Sequence, residues 1–408
     1  MPYTALNSSN NPTNGSSNND SPTILQLVPD LRTGGAERTT VDVAEAIVKR
    51  GWNSIVLSEG GRLLPELEAT GSTHLLFPAG TKNPWKMWRN SHEIARICKE
   101  HGVSLIHGRS RAPAWSGFWA AQRLGLPFVT TYHGIYKETN RLKAFYNSVM
   151  TRADGVIANS RYTADLIAAR DPSAVGRITV IYRGSDLDAL APENVSQERR
   201  ESLRQAWGLS GQERVILNLA RLTTWKGQGI LIDAYKALLS DGGAYDDTVV
   251  ILAGDHQGRE DYKAQLEDRI AQAGLENRVR LVGHCADVGA ALALADVSVV
   301  ASIEPEAFGR AAVEAQAAEV PVIVSDIGAV PETVLVPPHV AEEQRTGWHF
   351  PNRDVSALAS RLGEALSLTA EARLHLVKTA RAHVASKFSK KAMCDATLDF
   401  YEEQLKTA

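Results

Sequence analysis

The 408-residue sequence lacks several features that mark membrane, secreted and metal-binding proteins. It has no uninterrupted apolar run of about 18 residues, which a membrane-spanning helix requires. Its three cysteines, Cys98, Cys285 and Cys394, are odd in number, far apart and without Cys-x-x-Cys spacing. This usage predicts reduced thiols in a cytoplasmic protein, with neither a disulfide framework nor a metal site.

The amino-terminal segment MPYTALNSSNNPTNGSSNNDSP also lacks the apolar stretch of a secretory signal peptide. It is polar and rich in Asn and Ser, so it cannot bury enough apolar surface to fold. We expect residues 1–22 to form a disordered tail.

An excess of positive charge is also missing, since the net charge of the whole chain is −3. This balance argues against a general nucleic-acid-binding protein. The charge is nevertheless uneven along the chain. Residues 23–190 contain 21 Lys and Arg against 15 Asp and Glu, whereas the remainder contains 23 against 32. A basic first half and an acidic second half predict a different partner for each.

Short apolar runs alternate with amphipathic segments from Thr23 onward, which predicts parallel strands covered by helices on both faces. A polar segment with a proline, LDALAPENVSQERRESL, interrupts the alternation near Ala191. The sequence therefore predicts an α/β fold with two doubly wound domains, residues 23–190 and 191–387. The predicted strand sequences are TILQLVP, NSIVLS, THLLFP, VSLIHG, PFVTTYHG, GVIANS and RITVIYRG, then RVILNLAR, TVVILAG, RVRLVG, VSVVAS and PVIVSD.

Doubly wound sheets bind ligands beyond the carboxyl ends of their strands. Here those ends carry neither Gly-x-Gly-x-x-Gly nor a Walker-type Gly-Lys-Ser/Thr, which argues against dinucleotide and P-loop sites. Instead, Arg221 and Lys226 lie five residues apart after one strand, and a helix is predicted to begin near Gly227. Two cations beside a helix N-terminus are typical of a diphosphate site.

A pair of glutamates eight residues apart lies in the segment EAFGRAAVE. A helix is predicted to begin at Phe308-Gly309-Arg310, with Glu306 in the loop before it and Glu314 more than one turn inside it. At the rise of an α-helix the two carboxylates would lie on the order of 10 Å apart. They could bracket a nucleotide sugar, one binding sugar hydroxyls and the other a ribose.

These motifs resemble those of the retaining glycosyltransferases of family 4, which have the GT-B architecture of two Rossmann-like domains facing across a cleft. The E-x7-E pattern is matched by Glu306 and Glu314, and the Arg-x4-Lys pattern by Arg221 and Lys226. The catalytic histidine of the N-terminal domain is matched by His133, and the glycine loop by TGGAE. The four landmarks occur in the family's order from about Thr23 to the C-terminus.

The resemblance implies roles for individual residues. Arg221 and Lys226 would stabilise the departing diphosphate, Glu306 would orient the donor sugar, and His133 would reach the sugar from the other domain. Glu314 would bind the ribose. The residues expected at the donor site are Gly35, His284, Phe308, Gly309, Arg310 and Glu314, although His284 could equally cap a loop.

The resemblance further implies transfer from a uridine or guanosine diphosphate sugar with retention of configuration, without a metal or another cofactor. We expect residues 388–408 to form a helix that packs on the N-terminal domain. The sequence departs from the family pattern at RGSD, where Arg183 replaces an Asn, and at Lys390, where an aromatic residue is usual.

Aromatic residues alternate with cations in residues 82–89, 108–123 and 136–146. Such segments either contact a membrane surface or a large amphiphilic acceptor, or pack their rings in the core with the cations solvated. We expect a glycan or lipid-linked acceptor of lipopolysaccharide or envelope polysaccharide synthesis, with Arg109 and Arg111 on the acceptor side. The enzyme would then be cytoplasmic, with a peripheral contact to anionic lipid on the inner face of the cell membrane.

Two alternatives stay open from the sequence. A nucleotide-sugar epimerase would share the architecture, but it would need carboxylates in the N-terminal part of the cleft. A non-catalytic sugar-binding protein would normally carry a signal peptide. Release of nucleoside diphosphate from a donor distinguishes a transferase from both.

Overall fold

A computed structural model describes residues 21–32, 34–136, 138–240 and 242–407 of the chain. The tail predicted for residues 1–22 lies almost entirely outside the described residues. The chain forms two parallel β-sheets, of seven and six strands, each flanked by helices. The predicted α/β fold with two doubly wound domains is confirmed.

The first sheet has the strand order β3-β2-β1-β4-β5-β6-β7, and all its neighbouring strands are parallel. Its central strands are buried on both faces, which explains why they appear in the sequence as continuous apolar runs. The strands are β1 Thr23–Leu27, β2 Asn53–Ser58, β3 Thr73–Leu76, β4 Val103–Gly108, β5 Phe128–Tyr132, β6 Gly155–Ala158 and β7 Ile178–Val180. The helices between them are α1 Gly35–Lys49, α2 Leu64–Ala69, α3 Pro84–Glu100, α4 Arg111–Leu124, α5 Arg141–Asn147 and α6 Arg161–Arg170.

Helix α3 begins at Pro84. The side chain of Asn83 accepts a hydrogen bond from the backbone N–H of Lys86, and Pro84 occupies the first helical position. Asn83 is favourable before a helix because its side chain satisfies an N–H group of the first turn that would otherwise be unpaired. Pro84 is favourable at the first position because it has no N–H to leave unpaired. Most of the segment 82–89, in which aromatic residues alternate with cations, therefore lies in the first two turns of helix α3.

The second sheet has the strand order β10-β9-β8-β11-β12-β13, again all parallel. Its order reverses direction between β8 and β11, the position at which doubly wound sheets bind ligands. The strands are β8 Arg214–Leu219, β9 Thr248–Ala253, β10 Val279–Gly283, β11 Val297–Val300, β12 Val322–Ser325 and β13 Trp348–Phe350. The accompanying helices are α7 Gln197–Ala206, α8 Gln228–Leu239, α9 Glu260–Ala273, α10 Val288–Ala293, α11 Arg310–Ala317, α12 Val355–Leu366, α13 Ala370–Lys387 and α14 Lys390–Thr407.

Helix α14 follows the second sheet in the chain but packs on the first. Its residues Met393, Leu398 and Tyr401 share an apolar cluster with Ile24 of β1 and Ile47 of α1. The Lys390 ammonium lies 3.4 Å from a carboxylate oxygen of Glu45 on α1. The last helix thus forms part of the core of the first lobe.

Of the helices in the described parts of the chain, none combines the length and the apolar character needed to cross a membrane.

Candidate active site

The loop that carries Arg221 and Lys226 is held tightly against the end of strand β11. Gly227 has a left-handed backbone (φ 71°) and precedes helix α8 directly. A Cβ atom at Gly227 would lie only 1.8 Å from the carbonyl oxygen of Ala301, so only glycine fits there. The backbone N–H of Ile303 also donates a 2.7 Å hydrogen bond to the carbonyl of Trp225. The two loops at the switch point therefore form one packed unit.

Lys226 and Glu306 form an ion pair across these two loops. The Lys226 Nζ lies 2.7 Å from the Glu306 Oε1, and the two side chains are only 15% and 14% exposed. The hydroxyl of Ser302 donates a hydrogen bond to the same carboxylate oxygen. The ammonium of Lys226 also lies 4.4 Å from the ring centroid of Trp225. The structure thus brings together a cation and an anion that the sequence placed 80 residues apart.

Arg221 is not part of this pair. Its side chain is exposed and donates a 3.4 Å hydrogen bond to the amide oxygen of Gln257. Its backbone carbonyl accepts a 3.0 Å hydrogen bond from the buried side chain of Gln228 at the start of α8. The Arg221 guanidinium therefore remains available to a ligand at the mouth of the loop.

The loop containing Glu306 is fixed by its backbone. Glu306 forms a parallel bridge with Gly328, and its carbonyl accepts a 2.9 Å hydrogen bond from the N–H of Ala329. The ring of Phe308 is buried and lies edge-on to Phe388, 5.6 Å between centroids. Gly309 then adopts a left-handed conformation (φ 100°) and precedes α11. Phe308 can therefore offer a ligand only its backbone.

The side chain of Glu314 in α11 is only 16% exposed and lies beside cations. The Nε of Arg310 lies 3.2 Å from its carboxylate. Burial raises the pKa of Glu314, while Arg310 and Arg183 act in the opposite direction. Because Arg183 belongs to the loop after β7, this group of charges joins the two lobes.

Arg183 lies directly against Gly35 at the start of α1. A Cβ atom at Gly35 would lie 1.5 Å from the Nη2 of Arg183 and 2.0 Å from its Cζ, so a side chain at this position would displace the guanidinium. Burial, and then the nearby Arg310, lower the pKa of Arg183 to about 10. The replacement of the family's Asn by Arg therefore adds a buried cation beside the glycine loop.

His133 follows strand β5 and faces two cations. Burial lowers the pKa of His133 well below its ordinary value, and the charges of Arg109 and Arg183 lower it further. The imidazole is therefore neutral at physiological pH. Its Nε2 is buried and has no hydrogen-bond partner among the described residues. The guanidinium of Arg109 is buried as well and donates a 2.6 Å hydrogen bond to Gln26.

Two predicted residues lie apart from this group. The guanidinium of Arg111 lies 4.2 Å from the ring centroid of Tyr136 and 5.6 Å from that of Tyr146. It also donates a 2.9 Å hydrogen bond to the side-chain oxygen of Asn147, so neighbouring residues of the first lobe already bind this guanidinium. His284 is exposed in the loop after β10.

The lobes contact each other directly beside Glu306. The hydroxyl of Ser160, which caps α6, donates a 2.7 Å hydrogen bond to the carbonyl of Ala307. The carboxylate of Glu332 accepts hydrogen bonds from the backbone N–H groups of Arg161 and Tyr162, at 2.9 and 2.6 Å. Sequence motifs gave no sign of these contacts, nor of the role of Ser302. Ser160 and Ser302 were marked only by their position after a strand end, and Glu332 was not marked at all.

Among the described residues, no three His, Cys, Asp or Glu side chains come together in a way that could hold a metal ion. The arrangement instead offers cations, a buried carboxylate and free backbone N–H groups. Such groups suit a phosphorylated sugar ligand.

Two family profiles match the chain and together cover most of it. The profile "Glycosyltransferase Family 4" matches residues 33–189 in the first lobe. The profile "Glycosyl transferases group 1" matches residues 199–383 in the second lobe. The order of the two matches follows the order of the two sheets.

Individual proteins are similar over long stretches. The crystal structure of a glycosyltransferase from Rickettsia africae is 32% identical, covers 95% of this chain and 100% of its own, and gives a TM-score of 0.85. That of Anabaena Alr3699/HepE in complex with UDP-glucose is 25% identical, with a TM-score of 0.76 and coverage of 93% and 99%.

A sequence relative, the D-inositol 3-phosphate glycosyltransferase of Saccharomonospora viridis, is 27% identical over 74% of this chain and 70% of its own length. The match to the protein of the same name from Mycobacteroides abscessus spans 58% of that protein.

Proposed function

The chain belongs to the glycosyltransferases of group 1, and we propose that it transfers a sugar from a nucleoside-diphosphate sugar to a glycan or lipid-linked acceptor with retention of configuration. The observation that carries this proposal is the largely buried ion pair of Lys226 and Glu306 at the switch point of the second sheet. The pair supports the proposal because a cation that could bind the departing diphosphate lies next to a carboxylate that could bind sugar hydroxyls.

Each part of the donor has a candidate partner. Lys226 and Arg221 flank the start of α8, where two cations and free N–H groups favour a diphosphate. Glu306 orients the sugar, and Glu314, behind Gly309 in α11, binds the ribose. UDP is the expected nucleotide, because the similar Anabaena protein was crystallised with UDP-glucose.

In the proposed reaction, an acceptor hydroxyl oxygen forms a bond to the anomeric carbon as the bond from that carbon to the diphosphate oxygen breaks. The acceptor proton passes to the departing phosphate, so no protein base is required. Lys226 and Arg221 stabilise the negative charge that develops on the leaving group. The neutral His133 contacts the sugar from the first lobe without adding a charge beside the anomeric carbon.

We propose that the acceptor belongs to lipopolysaccharide or envelope polysaccharide synthesis on the cytoplasmic face of the membrane. The support is an exposed face on the first lobe. Trp85 and Trp88 are 66% and 43% exposed and stack on each other, with Lys82, Lys86 and Arg89 exposed beside them. Trp115, in contrast, is buried, so only part of the aromatic residues can meet an acceptor or a membrane.

The test is the release of nucleoside diphosphate from a panel of UDP- and GDP-sugars. We expect slow hydrolysis of one donor without an acceptor, and a product whose anomeric configuration, measured by nuclear magnetic resonance, equals that of the donor. An epimerase would return an altered nucleotide sugar, and a binding protein would leave all donors intact. Either result would contradict the proposal.

A further inference from the structure

A cavity in the first lobe contains buried polar atoms without partners. It lies at the carboxyl ends of β4 to β7, between α1 and α14, and has a volume of about 20 Å³. Four of the residues that line it carry buried side-chain polar atoms without a hydrogen-bond partner. Among the described residues no hydrogen-bond partner exists for Arg109 Nη2, His133 Nε2, Arg183 Nη2, or either side-chain polar atom of Asn159.

Such a concentration of unpaired atoms is unusual, because buried polar groups are nearly always hydrogen-bonded. Arg109 is only 3% exposed and Asn159 is also only 3% exposed, so bulk solvent does not satisfy them. Among the described residues, no carboxylate forms an ion pair with the guanidinium group of Arg109 or with that of Arg183. The unpaired donors therefore point to a ligand with several acceptor oxygens.

The electrostatics favour a negative ligand. Arg183 lies at the start of α1, where the helix dipole and the free N–H groups oppose a cation and attract an anion. The carboxylates of Glu314, Glu37 and Asp42 act on Arg183 only through space, without an ion pair. Burial also raises the pKa of Asp42 to about 6, which weakens this carboxylate as a counter-ion in mildly acidic solution.

We propose that this cavity, the basic pocket, binds a phosphate or carboxylate group carried by the acceptor substrate. The assignment to an acceptor rests on the proposed function. The walls come from the strands of the first lobe, α1 and α14, and include His133, which is proposed to contact the donor sugar. The loops proposed to hold the donor diphosphate belong to the second lobe, so the anion would lie on the far side of that sugar from the diphosphate. Arg109 and Arg183 would donate charge-assisted hydrogen bonds, and the amide of Asn159 a further one.

Direct titration with inorganic phosphate tests the pocket without catalysis. Calorimetry at constant ionic strength, with chloride as the balancing anion, compares the wild type with Arg183→Gln. We expect at least about a tenfold loss of affinity, typical of a charged hydrogen bond. Arg141→Gln, on the exposed start of α5, is the matched control and should bind like the wild type.

Unchanged phosphate affinity in Arg183→Gln, or no binding to the wild type, would overturn the proposal. Thermal unfolding of each variant is measured first. If Arg183→Gln does not fold, Asn159→Ala takes its place, and there too a loss of affinity is expected.

A second binding assay, with UDP present, tests whether the anionic group belongs to the acceptor or to the donor. Glucose 6-phosphate and glucuronate should bind more tightly than glucose, and this preference should disappear in Arg183→Gln. A preference confined to donors, UDP-glucuronate over UDP-glucose, would overturn the assignment to the acceptor.

The phosphate-binding assay and the donor-hydrolysis assay test the pocket and the transferase activity separately. Phosphate binding that depends on Arg183, without nucleotide release from any donor, would refute the transferase and keep the pocket. Nucleotide release without phosphate binding that depends on Arg183 would keep the transferase and refute the pocket.

Discussion

Among single residues, the contact between Lys226 and Glu306 has the most direct chemical consequence. Each side chain neutralises the other in a site that is mostly closed to water. A diphosphate arriving beside Lys226 would share the ammonium with Glu306 and leave the carboxylate free to accept sugar hydroxyls. The pair therefore keeps both groups in place before the donor binds, at a low cost in reorganisation.

Replacement of Lys226 should affect turnover far more than folding. In Lys226→Ala we expect kcat to fall on the order of 100-fold, since a charge that faces the leaving group is lost. The variant also leaves the Glu306 carboxylate without its cation, so thermal unfolding is measured as well, and the loss of kcat should exceed any loss of folded protein. Lys236→Ala, at an exposed position of the following helix α8, is the control and should turn over normally. Near-normal kcat in Lys226→Ala would remove this residue from the site.

The two glutamates should separate kinetically. Glu306→Gln keeps the shape but leaves Lys226 without an anion, so kcat should fall on the order of 100-fold with little change in KM. Glu314→Gln should instead raise the donor KM, by roughly tenfold, because it weakens ribose binding. Unfolding curves are recorded first, since Glu314 is buried against Arg310. Full activity in both variants would leave the glutamates as structural residues only.

On the level of secondary structure, the sequence predicted most strands and the helix starts beside the site. Gly227 and Gly309 mark those starts because each must adopt a left-handed backbone. The contacts between elements could not be predicted. The position of Arg183 over Gly35, and the pairing of Lys226 with Glu306, depend on how segments far apart in the chain are packed. A local pattern contains no information on that packing.

Helix α6 illustrates such a contact between lobes. Its N-terminus receives the carboxylate of Glu332 from the second lobe, which also accepts a 3.1 Å hydrogen bond from the hydroxyl of Tyr182. The neighbouring Ser160 contacts Ala307, one residue after Glu306. These contacts between the lobes therefore lie directly beside the loop that carries the proposed catalytic glutamate.

Removal of the Glu332 charge should loosen this contact. An anion at a helix N-terminus contributes about 1 kcal/mol, so Glu332→Gln should shift the lobes toward an open arrangement. We expect a larger radius of gyration by small-angle scattering and a donor KM raised roughly fivefold, the effect of that energy on closure. Glu343→Gln, an exposed change in the same lobe, is the control. Identical scattering and KM in Glu332→Gln would show that the contact has no role in closure.

For the whole molecule, the main feature is the division of charge between the lobes. The second lobe, proposed to bind the donor, is acidic overall, and the first is basic. Helix α4 lies between α3 and α5, since Ser116 contacts Met87 of α3 and Trp115 stacks with Phe145 of α5. The exposed residues at the starts of α3 and α5 therefore occupy neighbouring positions on one side of the first lobe. Leu142 and Phe145, 82% and 60% exposed, extend the apolar part of that side.

This arrangement predicts binding of the first lobe to anionic membranes. Cations near such a surface each contribute about 1 kcal/mol, and salt screens them. We expect the protein to bind vesicles that contain an anionic phospholipid, and to release them as salt is raised. Joint replacement of Lys82, Lys86 and Arg89 by Gln should weaken binding by at least about tenfold, while donor hydrolysis stays unchanged because the donor loops lie in the other lobe. The control is the triple change of Lys236, Lys378 and Lys387 to Gln, which removes the same charge from exposed positions elsewhere. If the wild type ignores these vesicles at low salt, or if both triple variants lose binding equally, the exposed face of α3 does not dock on a membrane.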